Sequence, residues 1–241
     1  MFAEDEAALL SEAATDAASL ERLVSRRVDG EPLEYVLGWA EFAGLRLKVA
    51  PGVFVPRKRT QLLLDLALRS LRSAVATPRL LEVCCGVAPV ATALKKRMPG
   101  ASVTASDLDP DAVRTARTNL EPLGGTVFEG DLFGALPAAA RYDVIVANAP
   151  YVPTAELRNM PREAREFEHP IALDGGDDGL ALHRRIAAEA GARLAEGGTV
   201  LVETSRRQAP VDLEIFGAHG WRAESVRDDE FDATAVRAVR A

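Results

Sequence analysis

Cysteine is nearly missing from this sequence: there are two in 241 residues, adjacent as Cys84 and Cys85. Neighbouring cysteines without CxxC spacing or a paired histidine cluster argue against a zinc site or a disulfide framework, and both read as small packing residues. Histidine is as scarce. His169, His183 and His219 are scattered, none beside a nucleophile and an acid, so each reads as a surface or loop residue and no hydrolytic triad is expected. No apolar run approaches the ~18 residues needed to span a bilayer. The opening MFAEDEAALL carries acids where a signal peptide needs Lys or Arg, so the expected compartment is the cytoplasm. Positive charge is also in deficit, with 29 Lys and Arg against 36 Asp and Glu and a net charge of −7, which argues against tight binding to nucleic-acid phosphates.

What is present is a chain that is 48% hydrophobic, suited to one α/β domain with a small appendage. Residues 1 to about 30 carry Leu9, Leu10, Ala13, Ala17, Leu20 and Val24 at helical spacing, which predicts one or two short amphipathic helices. A partly alternating stretch, Glu41 to Val49, is followed by Pro51-Gly52 and by Val53 to Val55, which reads as a hairpin turning at Pro51-Gly52. Thr60 to Leu71 places Leu62, Leu63, Leu66, Ala67 and Leu71 on one stripe, a helix. Beyond Pro78, apolar strands alternate with helices. The expected strands are Leu80 to Cys84, Ser102 to Ala105, Thr126 to Phe128, Val144 to Ala147 and Thr199 to Glu203; the expected helices are Val90 to Arg97, Asp111 to Leu120, Leu180 to Leu194 and Val211 to Ala218. Such alternation predicts a mostly parallel sheet covered on both faces. Trp221 to Val226 and Ala235 to Val239 add an antiparallel C-terminal hairpin, for seven strands in all. Three units are expected: a short helical region over 1–40, a hairpin linker over 41–57, and the main domain over 58–241.

In open α/β sheets ligands lie beyond the carboxyl ends of the strands. After the first strand of the main domain, Glu82-Val83-Cys84-Cys85-Gly86-Val87-Ala88 supplies small residues where the chain must turn and let a ligand near its backbone. Asp107 ends the second strand, where an acid can accept from both hydroxyls of a ribose, and Asp131 follows Gly130. The alternative for each acid is a helix N-cap or a solvated loop carboxylate. After the fourth strand comes Asn148-Ala149-Pro150-Tyr151. Asn148 brings a carbonyl acceptor, Pro150 holds Ala149 extended so that its C=O points one way, and Tyr151 offers a flat face. Two acceptors and a stacking surface suit a planar –NH2 group; the alternative is a type I turn.

The order of these motifs resembles the HemK/PrmC family, the peptide chain release factor glutamine-N5 methyltransferases, from Glu31 to the C-terminus. The resemblance is carried by Pro32-Leu33-Glu34-Tyr35-Val36-Leu37-Gly38, Val55-Pro56-Arg57-Lys58-Arg59-Thr60, the Glu82 to Ala88 loop, Asp107, Gly130-Asp131-Leu132-Phe133, Asn148 to Tyr151, Ala172 to Leu180, and Gly197-Gly198 through Glu203 to Gln208. It implies a class I, Rossmann-like methyltransferase fold and S-adenosyl-L-methionine as methyl donor, leaving S-adenosyl-L-homocysteine. It further implies that Glu82, Cys84 and Gly86 pack near the methionine part of the donor, that Asp107 with Leu108 holds the ribose, and that Asp131 and Leu132 border the adenine. Asn148, which would also border the donor, and the Ala149 carbonyl would hold the substrate nitrogen, with Pro150 and Tyr151 completing the motif. Phe54, Pro56, Arg57 and Thr60 match the segment that closes over donor and substrate.

The sequence departs from the family pattern at four places. Cys84 and Ala88 stand where the loop normally has glycines, and only glycine takes positive φ freely. Ala149 stands where the signature has a first proline, and Glu168-His169-Pro170 replaces Glu-Pro-Arg. The helical N-terminal region is shorter than in release-factor members, so Lys58, Arg59 and a lid over Val152 to Asp178 are expected to read the substrate; the alternative for the lid is a solvated helix from Thr154 to Phe167. The expected activity is N-methylation of a carboxamide, above all a protein glutamine, by a monomer without metal. The alternatives are methylation of a small-molecule or nucleobase amine, and a degenerate scaffold that has lost catalysis.

Overall fold

The computed structural model describes residues 3–71 and 77–240. Helices α1 (Ala3–Ala13), α2 (Ala17–Val28) and α3 (Leu33–Leu37) pack around Leu10, Leu33 and Val36. Asp16 starts α2 by accepting the Ser19 N–H at 2.6 Å while Ser19 Oγ accepts the Asp16 N–H at 3.0 Å, a reciprocal cap. Strands β1 (Trp39–Phe42) and β2 (Leu45–Lys48) then form a hairpin. Its turn is Ala43-Gly44, not Pro51-Gly52: both Ala43 (φ 52°) and Gly44 (φ 80°) are left-handed, as a two-residue hairpin requires. Val53 to Val55 forms no strand.

The main sheet is assembled from β3 (Arg79–Val83), β4 (Ser102–Asp107), β5 (Thr126–Glu129), β6 (Tyr142–Ala147), β7 (Leu194–Glu203), β8 (Trp221–Asp228) and β9 (Ala233–Arg240), in the order β5-β4-β3-β6-β7-β9-β8. The first five are parallel, and β9 pairs antiparallel with both β7 and β8. Helices α4 (Gln61–Leu71), α5 (Pro89–Arg97) and α6 (Pro110–Leu120) cover one face; α8 (Ala181–Glu189) and α9 (Ala209–Ala218) cover the other. Successive strand residues serve opposite cores, Leu80 one and Leu81 the other, both fully buried. That is why the strands read as continuous apolar runs instead of alternating ones. The strand order reverses between β3 and β6, which opens a crevice at their carboxyl ends.

One expected helix differs, and so does the alternative offered for the lid. The helix expected over Leu180 to Leu194 stops at Glu189, and Leu194 already opens β7; Gly191 between them has the Arg240 guanidinium where a Cβ would stand. A continuous helix from Thr154 to Phe167 does not form, because Met160 is extended ahead of Pro161. A 3₁₀ turn over Thr154–Asn159 and the short α7 (Arg162–Phe167) take its place.

Candidate active site

The crevice holds a cavity of about 1150 Å³, open mouth included, and every sequence-predicted site residue except Arg57 lines it. On the β3 side, both Glu82 carboxylate oxygens accept backbone N–H groups from the start of α5, Val90 at 3.3 Å and Ala91 at 2.6 Å. Burial pushes this carboxyl up to about 8 against the opposing pull of those two N–H groups. The loop that follows is left-handed at Cys84 (φ 50°), Gly86 (φ 55°) and Ala88 (φ 58°). A Cβ on Gly86 would meet only the Phe54 carbonyl at 3.9 Å, so this backbone faces open cavity. Burial raises both cysteine thiols above their ordinary range, which fits packing and not redox chemistry.

Ala88 is both left-handed and the residue before Pro89 at the first position of α5. Relief of the left-handed strain, ~1–2 kcal/mol for a residue with a Cβ, should offset the lost methyl burial and the added chain entropy when Ala88 becomes glycine. Ala88→Gly is therefore expected to leave the melting temperature within about a degree, whereas Ala91→Gly inside α5 lowers it by roughly 2–4 °C. Calorimetric melting of both variants checks this; equal losses would contradict it.

Asp107, the last residue of β4, is held by two backbone donors, Gly86 N–H to Oδ2 at 2.7 Å and Asp109 N–H to Oδ1 at 2.9 Å. Burial raises its pKa, the two N–H groups lower it, and the first effect is the larger. It is Asp109, not Asp107, that caps α6, by accepting the Asp111 N–H at 2.8 Å. Leu108 stands half exposed at the mouth. Beyond β5, Leu132 is buried and left-handed (φ 47°), with its carbonyl taking the Ser106 hydroxyl at 3.1 Å. Asp131 beside it pairs with Arg185 of α8 at 2.9 Å.

At the end of β6, Asn148 Nδ2 donates to Thr60 Oγ1 at 3.3 Å, and Asn148 Oδ1 has no partner among the described residues. The Ala149 carbonyl likewise has no protein partner among the described residues. Tyr151 has its carbonyl capped by Gln208 Nε2 at 2.9 Å and its hydroxyl 3.5 Å from Glu203 Oε1. Burial, with the Glu203 carboxylate adding to it, pushes the phenol up to about 12. Phe54, Pro56 and Thr60 contribute the facing wall. Arg57 turns away: its Nη2 pairs with Glu168 Oε1 at 2.6 Å and its guanidinium lies 4.9 Å from the centre of the Phe54 ring. Its place is a brace, because Glu168 also accepts the Val55 N–H at 3.2 Å and so ties the wall to the lid. The lid is latched a second time, by His169 Nδ1 on Asp109 Oδ2 at 2.7 Å.

His183 corrects the surface reading of the histidines. It is fully buried, with Nδ1 on Asp212 Oδ1 at 2.8 Å, and Asp212 in turn accepts the Thr204 hydroxyl at 2.5 Å. His219 caps the end of α9 through the Ile215 carbonyl at 2.9 Å. Arg59, expected to read the substrate, pairs at 3.0 Å with Glu203, to which the sequence assigns no role; the strand-end rule that singles out Asp107 and Asn148 applies equally to Glu203, which ends β7.

A profile of the methyltransferase small domain matches residues 44–166. A release factor glutamine methyltransferase of Geobacter sulfurreducens is 41% identical over 83% of this chain and 69% of its own. A 4-amino-L-phenylalanine/4-methylamino-L-phenylalanine methyltransferase of Streptomyces pristinaespiralis is 35% identical over 89% of this chain and 76% of its own. Among solved structures, a methyltransferase from Pyrococcus furiosus superposes with a TM-score of 0.59 at 16% identity, covering 90% of this chain and 97% of its own, a likeness of fold. The chain belongs to the HemK/PrmC family of class I methyltransferases.

Proposed function

We propose that the protein transfers a methyl group from S-adenosyl-L-methionine to a carboxamide nitrogen, and that its acceptor is the glutamine side chain of a release factor. The observation that carries this is a pair of oxygens without a partner among the described residues, Asn148 Oδ1 and Ala149 O, at the end of β6 in the same cavity as Asp107 and the open backbone of Gly86. That cavity fits the donor: Asp107 keeps lone pairs for two ribose hydroxyls, Gly86 permits close approach, and the buried Leu132 gives an apolar border for a base. When bound, the donor supplies a sulfonium methyl group already activated for in-line displacement. The residues then have to align a nitrogen lone pair, and positioning of this kind supplies ~7–11 kcal/mol of a barrier. Asn148 Oδ1 and the Ala149 carbonyl accept the two N–H groups of the acceptor, which favours a pyramidal nitrogen and stabilises the positive charge that develops on it. Tyr151 lies against the plane of the group. Once methylated the nitrogen is cationic and acidic enough to give up its proton to water, so no strong base is required there.

Among the described residues no helix is long and apolar enough to cross a membrane, and we place the enzyme in the cytoplasm as a monomer. Lys58, Arg59 and the lid from Val152 to Asp178 read the protein acceptor, with the helical region over 1–40 and the hairpin linker over 41–57 as its platform beside the catalytic unit over 58–241. A second reading rests on the Streptomyces pristinaespiralis relative, whose name specifies an arylamine acceptor: two carbonyl oxygens grip any planar –NH2 equally well. Incubation with S-adenosylmethionine and either a release factor or 4-amino-L-phenylalanine, read by mass spectrometry, separates the two. One added methyl on a release-factor glutamine is expected. Methylation of the amino acid alone would overturn the proposal in favour of the second reading, and no transfer with no donor binding would leave a scaffold.

A further inference from the structure

Several buried polar groups for which this chemistry has no use converge on Tyr151. Glu203 ends β7 with its side chain 2% exposed; Oε1 accepts Arg59 Nε–H at 3.0 Å and lies 3.5 Å from the Tyr151 hydroxyl. Its other oxygen, Oε2, is buried with no partner among the described residues. Gln208 Nε2 reaches the Tyr151 carbonyl at 2.9 Å and the Asp178 carbonyl at 3.2 Å, and it crosses so close to Gly179 that a Cβ there would stand 2.6 Å from it. The edge of His183, braced by Asp212, meets the Tyr151 ring with centroids 6.5 Å apart. Burying a carboxylate with one oxygen unpaired costs stability that an apolar residue of similar size would not. Such a cost is what a functional position shows.

Arg59 supplies the reason. It is the one basic side chain in the cavity wall among the described residues, its guanidinium lies 5.9 Å from the centre of the Tyr151 ring, and its neighbour Thr60 holds Asn148. A guanidinium carries five N–H donors in a fork, and the two oxygens offered to the acceptor nitrogen, Asn148 Oδ1 and Ala149 O, are the kind of partners those donors seek. Left loose, Arg59 would fill the acceptor's place.

We propose that Glu203 is a positioning residue for methyl transfer: it tethers Arg59 away from the two acceptor oxygens and, with Gln208 anchoring the Tyr151 backbone, fixes the Tyr151 ring as the wall of the acceptor slot. This rests on the acceptor reading above. It predicts a specific pattern of variants. Glu203→Ala lowers methyl transfer ~100-fold, as a displaced slot does, while S-adenosylmethionine binds within about twofold of the parent. Glu203→Gln, which keeps a carbonyl acceptor for Arg59 Nε–H, stays within ~10-fold of the parent. Arg59→Ala placed on Glu203→Ala restores ~10-fold in kcat, because the intruding donors are gone, while KM for the protein acceptor, which Arg59 also reads, stays raised.

The measurements are kcat and KM for the acceptor, calorimetric titration of the donor, and ¹⁹F spectra of protein labelled with fluorotyrosine. The chain has three tyrosines, and the Tyr151 resonance is assigned by its loss in Tyr151→Phe. A Tyr151 resonance moved in Glu203→Ala and returned in Glu203→Gln is expected. Unchanged transfer in Glu203→Ala, or a loss that Arg59→Ala does not relieve and that donor binding shares, would overturn the proposal. Should the parent methylate no carboxamide or amine, the acceptor reading falls instead. The fluorine spectrum then decides alone whether Glu203 holds the ring, and an unmoved Tyr151 resonance would overturn that as well.

Discussion

Asn148→Ala protein is expected to bind S-adenosylmethionine as the parent does and to transfer its methyl group ~10²–10³ times more slowly, the loss that follows removal of one preorganised dipole from a reacting centre. The expectation comes from how the side chain is held. Thr60 Oγ1 takes the amide Nδ2–H at 3.3 Å, so the other end of the amide faces the cavity. The exposed end is the carbonyl, an acceptor whose attraction for the nitrogen's hydrogens grows as that nitrogen becomes positive, so its effect falls on the transition state more than on bound substrate. Thr60→Val removes the orienting hydroxyl while keeping the shape, and should cost less, ~10-fold, because the amide still finds its productive rotamer part of the time. Donor titrations and single-turnover transfer assays on the two variants separate binding from chemistry. Parallel loss of donor affinity in Asn148→Ala would reassign Asn148 to the cofactor, and undiminished transfer would remove it from the site.

Where the sequence was legible, a single residue property decided the matter. The parallel core strands show as short apolar runs because both their faces are buried, and their carboxyl ends locate Glu82, Asp107, Leu132 and Asn148 around one cavity. Three features lay outside what local pattern holds. The hairpin turn went to Pro51-Gly52 because a proline–glycine pair is the stronger turn signal, whereas Ala43 is left-handed only because the strands on either side demand it. His183 reads in the sequence as a surface or loop residue; only the packing of α8 on α9 brings Asp212 to its ring. Arg57 and Arg59 sit two apart on one segment and face different partners, Glu168 from the lid and Glu203 from β7. Nothing in the spacing says which of the two lines the cavity. The glycine loop was legible only as a departure from glycine: the left-handed conformation that glycine takes freely is adopted at Cys84 and Ala88 despite their side chains, so the loop carries strain that glycine would avoid.

The second large effect is expected at Asp107, and its signature is the inverse of that at Asn148. Both carboxylate oxygens are fixed by backbone N–H groups, one from the glycine loop and one from the start of α6, so the acid is pre-aimed and loses little freedom on meeting a ribose. Hydrogen bonds to a charged acceptor contribute ~1.5–3 kcal/mol each, and losing two of them weakens donor binding by at least ~100-fold. Asp107→Ala should therefore abolish the rise in melting temperature that saturating donor gives the parent; at 100 times its dissociation constant a ligand stabilises by ~2.7 kcal/mol, or roughly 5–10 °C for a chain of this size. Without ligand the variant should melt within a few degrees of the parent, because burying the charge of Asp107 is costly, which raises its pKa, and the variant trades that cost for Gly86 and Asp109 N–H groups left without their acceptor. Asp107→Asn keeps one good acceptor and should lie between. Transfer by Asp107→Ala at very high donor concentration should recover towards the parental rate, since the acceptor oxygens of Asn148 and Ala149 are untouched; Asn148→Ala should not recover under any donor concentration. A parental thermal shift in Asp107→Ala would mean that the ribose is held elsewhere. Failure of both variants to recover would mean that donor and acceptor sites are not separable halves of the cavity, and the division of labour between the ends of β4 and β6 would have to be given up.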